Sequence, residues 1–230
     1  MTRKLVIEAI GTFFFVLTIG QVVIEPGAGD LAPLAIGAVL MVMVYAGGHI
    51  SGAHYNPAVT LGVLLRGKAT AAELGGYWAA QVVGAVLAAL AVGVFKEPFP
   101  EAVLTAVPAA GPALLAEFLF TFALVFVVLN VATTRGTEGN SYYGLAIGFT
   151  VTAGAWAVGG VSGGAFNPAV ALGVTVMGLS APSFIWVFLV ANFAGAIAAA
   201  LLFNALDLGN DKATTATPAE QAKLRPAAEP

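Results

Sequence analysis

Asn56-Pro57-Ala58 and Asn167-Pro168-Ala169 are the residues of this chain whose types and spacing best suit chemistry. An Asn amide carries an acceptor oxygen and two N–H donors. Asn favours a helix N-cap and Pro the first helical position, so each tripeptide predicts a helix that starts abruptly. Such a start presents about half a positive elementary charge on its free N–H groups. Two carboxylates, Glu8 and Glu117, lie within long apolar runs, and two histidines, His49 and His54, stand close to the first tripeptide. An ionisable group at bilayer depth is by default a functional candidate, although a structural role for each competes with it.

Composition decides where these residues operate. The chain has 230 residues, of which 59% are hydrophobic and 9% charged, and its mean hydropathy is +0.93. Soluble domains carry about 25% charged residues, so the class is integral membrane. A net charge of −3 gives nucleic acid no attractive surface. The absence of Cys excludes disulfides and thiolate sites, and two histidines are too few for a histidine metal centre. No metal, cofactor or nucleophile–base constellation is expected, and hence no enzyme.

Six apolar stretches reach the length of about 20 residues that crosses a bilayer: residues 5–24, 32–50, 74–95, 113–132, 142–161 and 184–206. The first is too long for a signal-peptide core and contains Glu8, so it reads as a retained helix. Residues 57–65 and 168–177 are too short to cross and read as re-entrant half-helices, each beginning at an Asn-Pro-Ala. Eight of the nine basic residues (Arg3, Lys4, Arg66, Lys68, Arg135, Lys212, Lys223 and Arg225) fall on the side that holds both termini. The positive-inside rule puts that side in the cytoplasm, with the plasma (inner) membrane as the expected location. Residues 207–230 are polar and without apolar period, as in a disordered cytoplasmic tail.

The two halves repeat, over about 3–95 and 111–206, and together form one domain, 1–206. Glu8 matches Glu117, Gln81 matches Asn192, and Ser51 through Gly62 matches Ser162 through Gly173. Three crossings per half is odd, so the second half is inverted in the membrane. Inverted repeats with broken helices put the working site near the midplane, between the repeats.

His49-Ile-Ser-Gly-Ala-His-Tyr-Asn-Pro-Ala-Val-Thr60, the second Asn-Pro-Ala, the paired Glu residues and their spacing resemble the aquaporins and aquaglyceroporins, the major intrinsic proteins. The resemblance covers about residues 3–206. It implies an all-α membrane fold of six tilted helices and two half-helices meeting end to end, one pore per subunit and a homotetramer. It implies pore-centre roles for Asn56, Pro57, Ala58, Asn167, Pro168 and Ala169. It also implies that Glu8, Glu117 and His49 brace the re-entrant loops. The family's outer filter falls, without gaps, at Ile36, Ala155, Gly164 and Val170. Val170 is a departure, because the family typically has Arg there. The ring that results is wide and apolar, with backbone carbonyls near residues 162–165 as its main polar groups.

The expected function is passive passage of water and small uncharged solutes such as glycerol-like polyols. Ammonia, carbon dioxide or peroxide is the alternative within the class. A secondary transporter is the alternative of a different class, with only Glu8 and Glu117 to serve as coupling groups. Gly47, Gly48, Gly84, Gly148, Gly154 and Gly195 are expected at close helix contacts, and Trp78, Trp156 and Trp186 at the interface or toward lipid.

Overall fold

The computed structural model describes residues 1–96 and 108–209. Its eight α-helices are α1 (Thr2–Val23), α2 (Ala32–Ser51), α3 (Pro57–Leu65), α4 (Ala71–Phe95), α5 (Ala110–Thr133), α6 (Tyr143–Ser162), α7 (Pro168–Val176) and α8 (Ile185–Ala205), and no strand occurs among the described residues. Among the described residues, six helices are long and apolar enough to span a bilayer, with mean hydropathy of 1.5 to 2.4 in their most apolar stretches. At about 1.5 Å per residue each covers the ~30 Å hydrocarbon core. The expected tail lies mostly outside the described residues.

α1, α4 and α5 each start three residues before the expected span, and at α4 a cap sets the start. α4 starts three residues earlier than its apolar run, at Ala71. Thr70 Oγ1 accepts from the Glu73 N–H at 3.2 Å, and Glu73 Oε2 accepts from the Thr70 N–H at 2.9 Å, a reciprocal pair that satisfies two free donors. Glu73 Oε1 also meets Lys4 Nζ at 2.6 Å, tying the start of α4 to the start of α1. α3 has the expected bounds, and α7 ends one residue early, at Val176.

The contacts follow the repeat. α1 packs along α4 as α5 packs along α8, while α2 crosses α6 near the axis that relates the halves. Each half-helix is held by the last helix of the opposite repeat, α3 by α8 and α7 by α4, so the halves interlock. Small residues permit these approaches. A Cβ on Gly84 would lie 2.4 Å from Ala9 O, and one on Gly195 would lie 2.6 Å from Phe118 O. At the α2–α6 crossing Gly37 and Gly148 face each other's carbonyls at 2.6 and 2.4 Å by the same construction. Gly47 and Gly154 are equally tight, whereas Gly48 has only ordinary contact with Tyr143 and lines a cavity instead.

Large apolar side chains such as Leu90, Val94 and Leu201 are exposed on the outside, where hydrocarbon replaces water. Trp156 and Trp186 are half exposed in the same way. Trp78 departs from the expectation. It is half-buried, its Nε1 donates to Pro57 O at 3.0 Å, and its ring lies against Phe193. It supports the first turn of α3 rather than lipid contact.

Candidate functional site

The site begins with two helix N-caps. Asn56 is extended (φ −156°, ψ 120°), and its Oδ1 accepts from the N–H groups of Ala58 at 2.8 Å and Val59 at 3.4 Å. Asn167 repeats this with Ala169 at 2.9 Å and Val170 at 3.4 Å. Pro57 and Pro168 follow, at the position where a missing N–H costs nothing. The amide nitrogens then cross between the halves: Asn56 Nδ2 donates to Phe166 O and Asn167 Nδ2 to Tyr55 O, both at 2.9 Å. Each amide has two hydrogens, so this exchange leaves one per Asn. Ala58 and Ala169 are fully buried where α3 and α7 start, and small side chains suit so close a meeting.

The loops that deliver the Asn residues run partly through left-handed backbone. Gly52, Ala53 and Tyr55 have φ of 88°, 52° and 49°, and Gly163, Gly164 and Phe166 have 95°, 66° and 48°. Non-glycine residues adopt that region at a cost, which the surroundings must offset. A buried carboxylate does so in each half. Glu8 Oε1 accepts from Ser51 Oγ (2.6 Å) and the His54 N–H (3.0 Å), and Oε2 from the Tyr55 N–H (2.7 Å) and Gln81 Nε2 (2.8 Å). Glu117 Oε1 accepts from Ser162 Oγ (2.7 Å) and the Ala165 N–H (2.9 Å), and Oε2 from the Phe166 N–H (2.7 Å) and Asn192 Nδ2 (2.9 Å). Both carboxylates are fully buried. Four donors and no acceptor suit an ionised, acceptor-only group.

Ser51, Ser162, Gln81 and Asn192 were not among the residues expected to hold the loops. Their signal was present in the repeat, since each polar residue recurs in register with its Glu. His49 is a correction in the other direction. It is exposed, makes no hydrogen bond among the described residues, and stands on a cavity wall near the end of α2. Gly47 and Ser51 take the buried side of that helical turn, which leaves His49 on the exposed side, facing a cavity that Gly52 and His54 also line. His54 holds the loop in its place: its Nδ1 lies 3.2 Å from Thr60 Oγ1 and its ring is edge-on to Tyr77.

Three cavities with shared walls run through the protein past these groups. The first, of about 690 Å³, opens at the end that bears the N-terminus and is lined by Lys4, His49, Lys68, Glu73, Arg135 and Glu138 among others. Gly52, His54, Val128 and Tyr143 are common to it and to a central cavity of about 30 Å³, which Asn56 and Asn167 also line. Phe15, Val151 and Ala165 then lead to a third cavity of about 230 Å³ toward the opposite end. Ile36, Ala155, Gly164 and Val170 all line this third cavity, and no charged side chain does so among the described residues. Among the described hydrogen bonds, the carbonyls of residues 52–54 and 163–165 accept none from the protein. No group of three or more potential metal ligands occurs among the described residues.

Comparison with known proteins agrees with this geometry. The chain is 36% identical over 213 residues to Putative aquaporin NIP4-1 of Arabidopsis thaliana, covering 89% of this chain and 74% of that protein. It is 39% identical over 213 residues to Glycerol uptake facilitator protein-like 6 of Lactiplantibacillus plantarum, with coverage of 86% and 95%. Its fold matches the X-ray structure of the aquaglyceroporin from Plasmodium falciparum with a TM-score of 0.74 at 22% identity, over 96% of this chain and 99% of that one. Residues 1–203 match the family Major intrinsic protein. With six apolar spans and two Asn-capped half-helices, the chain is an integral membrane protein and belongs to the major intrinsic protein family.

Proposed function

We propose that this protein is a passive channel for water and small uncharged solutes of the glycerol type. The observation that carries the reading is the pair of Asn caps at the central cavity, where the wider cavities meet. The half-helices α3 and α7 each direct a positive N-terminal end at that point, which opposes cations. The remaining amide hydrogen of each Asn donates to a passing oxygen. A water held by two donors has no lone pair left to accept from its neighbours in the file and only donates to them, and this breaks a proton wire. The unpartnered carbonyls of residues 52–54 and 163–165 accept hydrogen bonds from a hydroxyl-bearing solute on either side. Pro57, Ala58, Pro168 and Ala169 shape the centre without contacting the solute through polar groups.

Glu8 and Glu117 serve as braces, because every carboxylate oxygen is already engaged and neither group faces a cavity. This argues against the secondary-transporter alternative, whose coupling groups must reach the transport path. Ile36, Ala155, Gly164 and Val170 form a wide outer ring. With Val in place of the Arg common in the family, polyols meet little obstruction there. Catalysis has no place in this reading. Residues 1–206 act as one channel domain with residues 207–230 as a cytoplasmic tail, both termini face the cytoplasm of the plasma (inner) membrane, and four copies assemble.

Stopped-flow light scattering on proteoliposomes, comparing water, glycerol and ammonia with protein-free vesicles, tests the reading. Water and glycerol fluxes are expected to exceed the control clearly. Acceleration of ammonia alone would favour the narrower alternative, which also includes carbon dioxide and peroxide. No acceleration of any solute by folded protein would overturn the channel reading.

A further inference from the structure

A shift of 111 residues carries Asn56 onto Asn167 and α2 onto α6. The same shift gives the ring of Ile36, Ala155, Gly164 and Val170 a twin on the other side of the Asn pair: Ile147, Val44, Ala53 and Val59. All four twin residues line the central cavity of about 30 Å³, whereas the first ring lines the cavity of about 230 Å³. The rings are identical in two positions, Ile with Ile and Val with Val. In the other two the twin ring is larger, with Val44 opposite Ala155 in the repeat and Ala53 opposite Gly164.

We propose that the twin ring of Val44, Ala53, Val59 and Ile147, rather than the ring around Val170, sets the size limit of the pore. The proposal rests on the channel reading above. A water needs about 10–15 Å³ of such space, so the central cavity holds about two or three waters in file, and the third cavity many more. Val44, Ala53, Val59 and Ile147 are all buried, packed into the core that surrounds the pore. Close-packed interiors yield little, so a bulky solute is stopped there first. Ala53 is also held in left-handed backbone, so its methyl group has a fixed position that thermal rotation of a longer side chain would not give. The repeat has therefore diverged in side-chain volume at two ring positions and made the two sides of the pore unequal.

The test compares permeability to a five-carbon polyol with permeability to glycerol in proteoliposomes. The double variant Val44→Ala/Ala53→Gly gives the twin ring the composition of the outer one, and Gly at 53 suits the local backbone. The ratio of five-carbon polyol to glycerol flux is expected to rise about tenfold, the discrimination that a few methyl groups provide in an apolar site. Ala155→Val, which narrows the outer ring, is expected to change the ratio several-fold less. If the double variant is not monodisperse, the single variants Val44→Ala and Ala53→Gly are read in the same way. A folded widened variant with an unchanged ratio overturns the proposal, as does an equal or larger effect from Ala155→Val. A wild type that passes no solute faster than empty vesicles overturns the channel reading itself, and the ring assignment falls with it.

Discussion

Glu117→Ala should remove nearly all folded protein from a detergent extract, and Glu8→Ala should do the same. Each substitution leaves four buried donors without an acceptor: for Glu117 they are Ser162 Oγ, the Ala165 and Phe166 N–H groups and Asn192 Nδ2. An unmet buried donor costs about 1–3 kcal/mol, and four of them are comparable with the ~5–15 kcal/mol that holds a typical domain folded. The loss falls on a loop already strained at Phe166, whose φ is 48°. Glu117→Gln is expected to be milder but still damaging. One oxygen survives, yet the new NH₂ must face two donors, and charge-assisted bonds are about twice as strong as neutral ones. Monodisperse yield and thermal unfolding in detergent measure both effects. If Glu117→Gln is fully stable, binds solute and cannot transport it, the bracing role is wrong and a coupling role takes its place.

Val170→Arg is expected to reverse the preference of the pore for larger solutes. Val170 is 2% exposed and stands on the wall of the 230 Å³ cavity beside Gly164. An Arg there adds a long side chain and up to five donors. The cavity and the unpartnered carbonyls of residues 163–165 have room and acceptors for it. The outer ring would then become the narrower of the two. Glycerol flux should fall by about tenfold, equivalent to ~1.4 kcal/mol of added barrier, with water flux falling less. Exclusion of small cations should tighten, because a fixed positive charge adds to the half-helix field. Stopped-flow ratios of glycerol to water for wild type and variant decide it. An unchanged ratio would mean that Val170 does not border the path.

Much of this arrangement is legible in the sequence, for reasons tied to particular residues. Asn followed by Pro is a strong start signal, so α3 is bounded without error, and α7 is missed by only its last residue. Glu8 and Glu117 stand out because carboxylates are scarce in apolar sequence. The donors that surround them are harder to read: Ser51 and Gln81 are ordinary residues until the fold brings them 43 and 73 positions along the chain to Glu8. The start of α4 eludes a hydropathy reading because Thr70 and Glu73, both polar, set it by capping. His49 lies on α2 and His54 in the loop that follows it, and the buried face of α2 leaves His49 exposed. The four outer-ring positions follow from the family resemblance, carried over by spacing from the two Asn anchors. The tighter ring does not, since its narrowness comes from packing volume that spacing cannot report.

The measurement that bears most directly on the account is glycerol flux through reconstituted wild-type protein as a function of concentration, with and without an imposed proton or sodium gradient. A passive pore predicts flux linear in the glycerol gradient, weakly dependent on temperature, and unchanged when the ion gradient is collapsed. Saturation at low glycerol concentration, or loss of flux on collapsing either gradient, would contradict it.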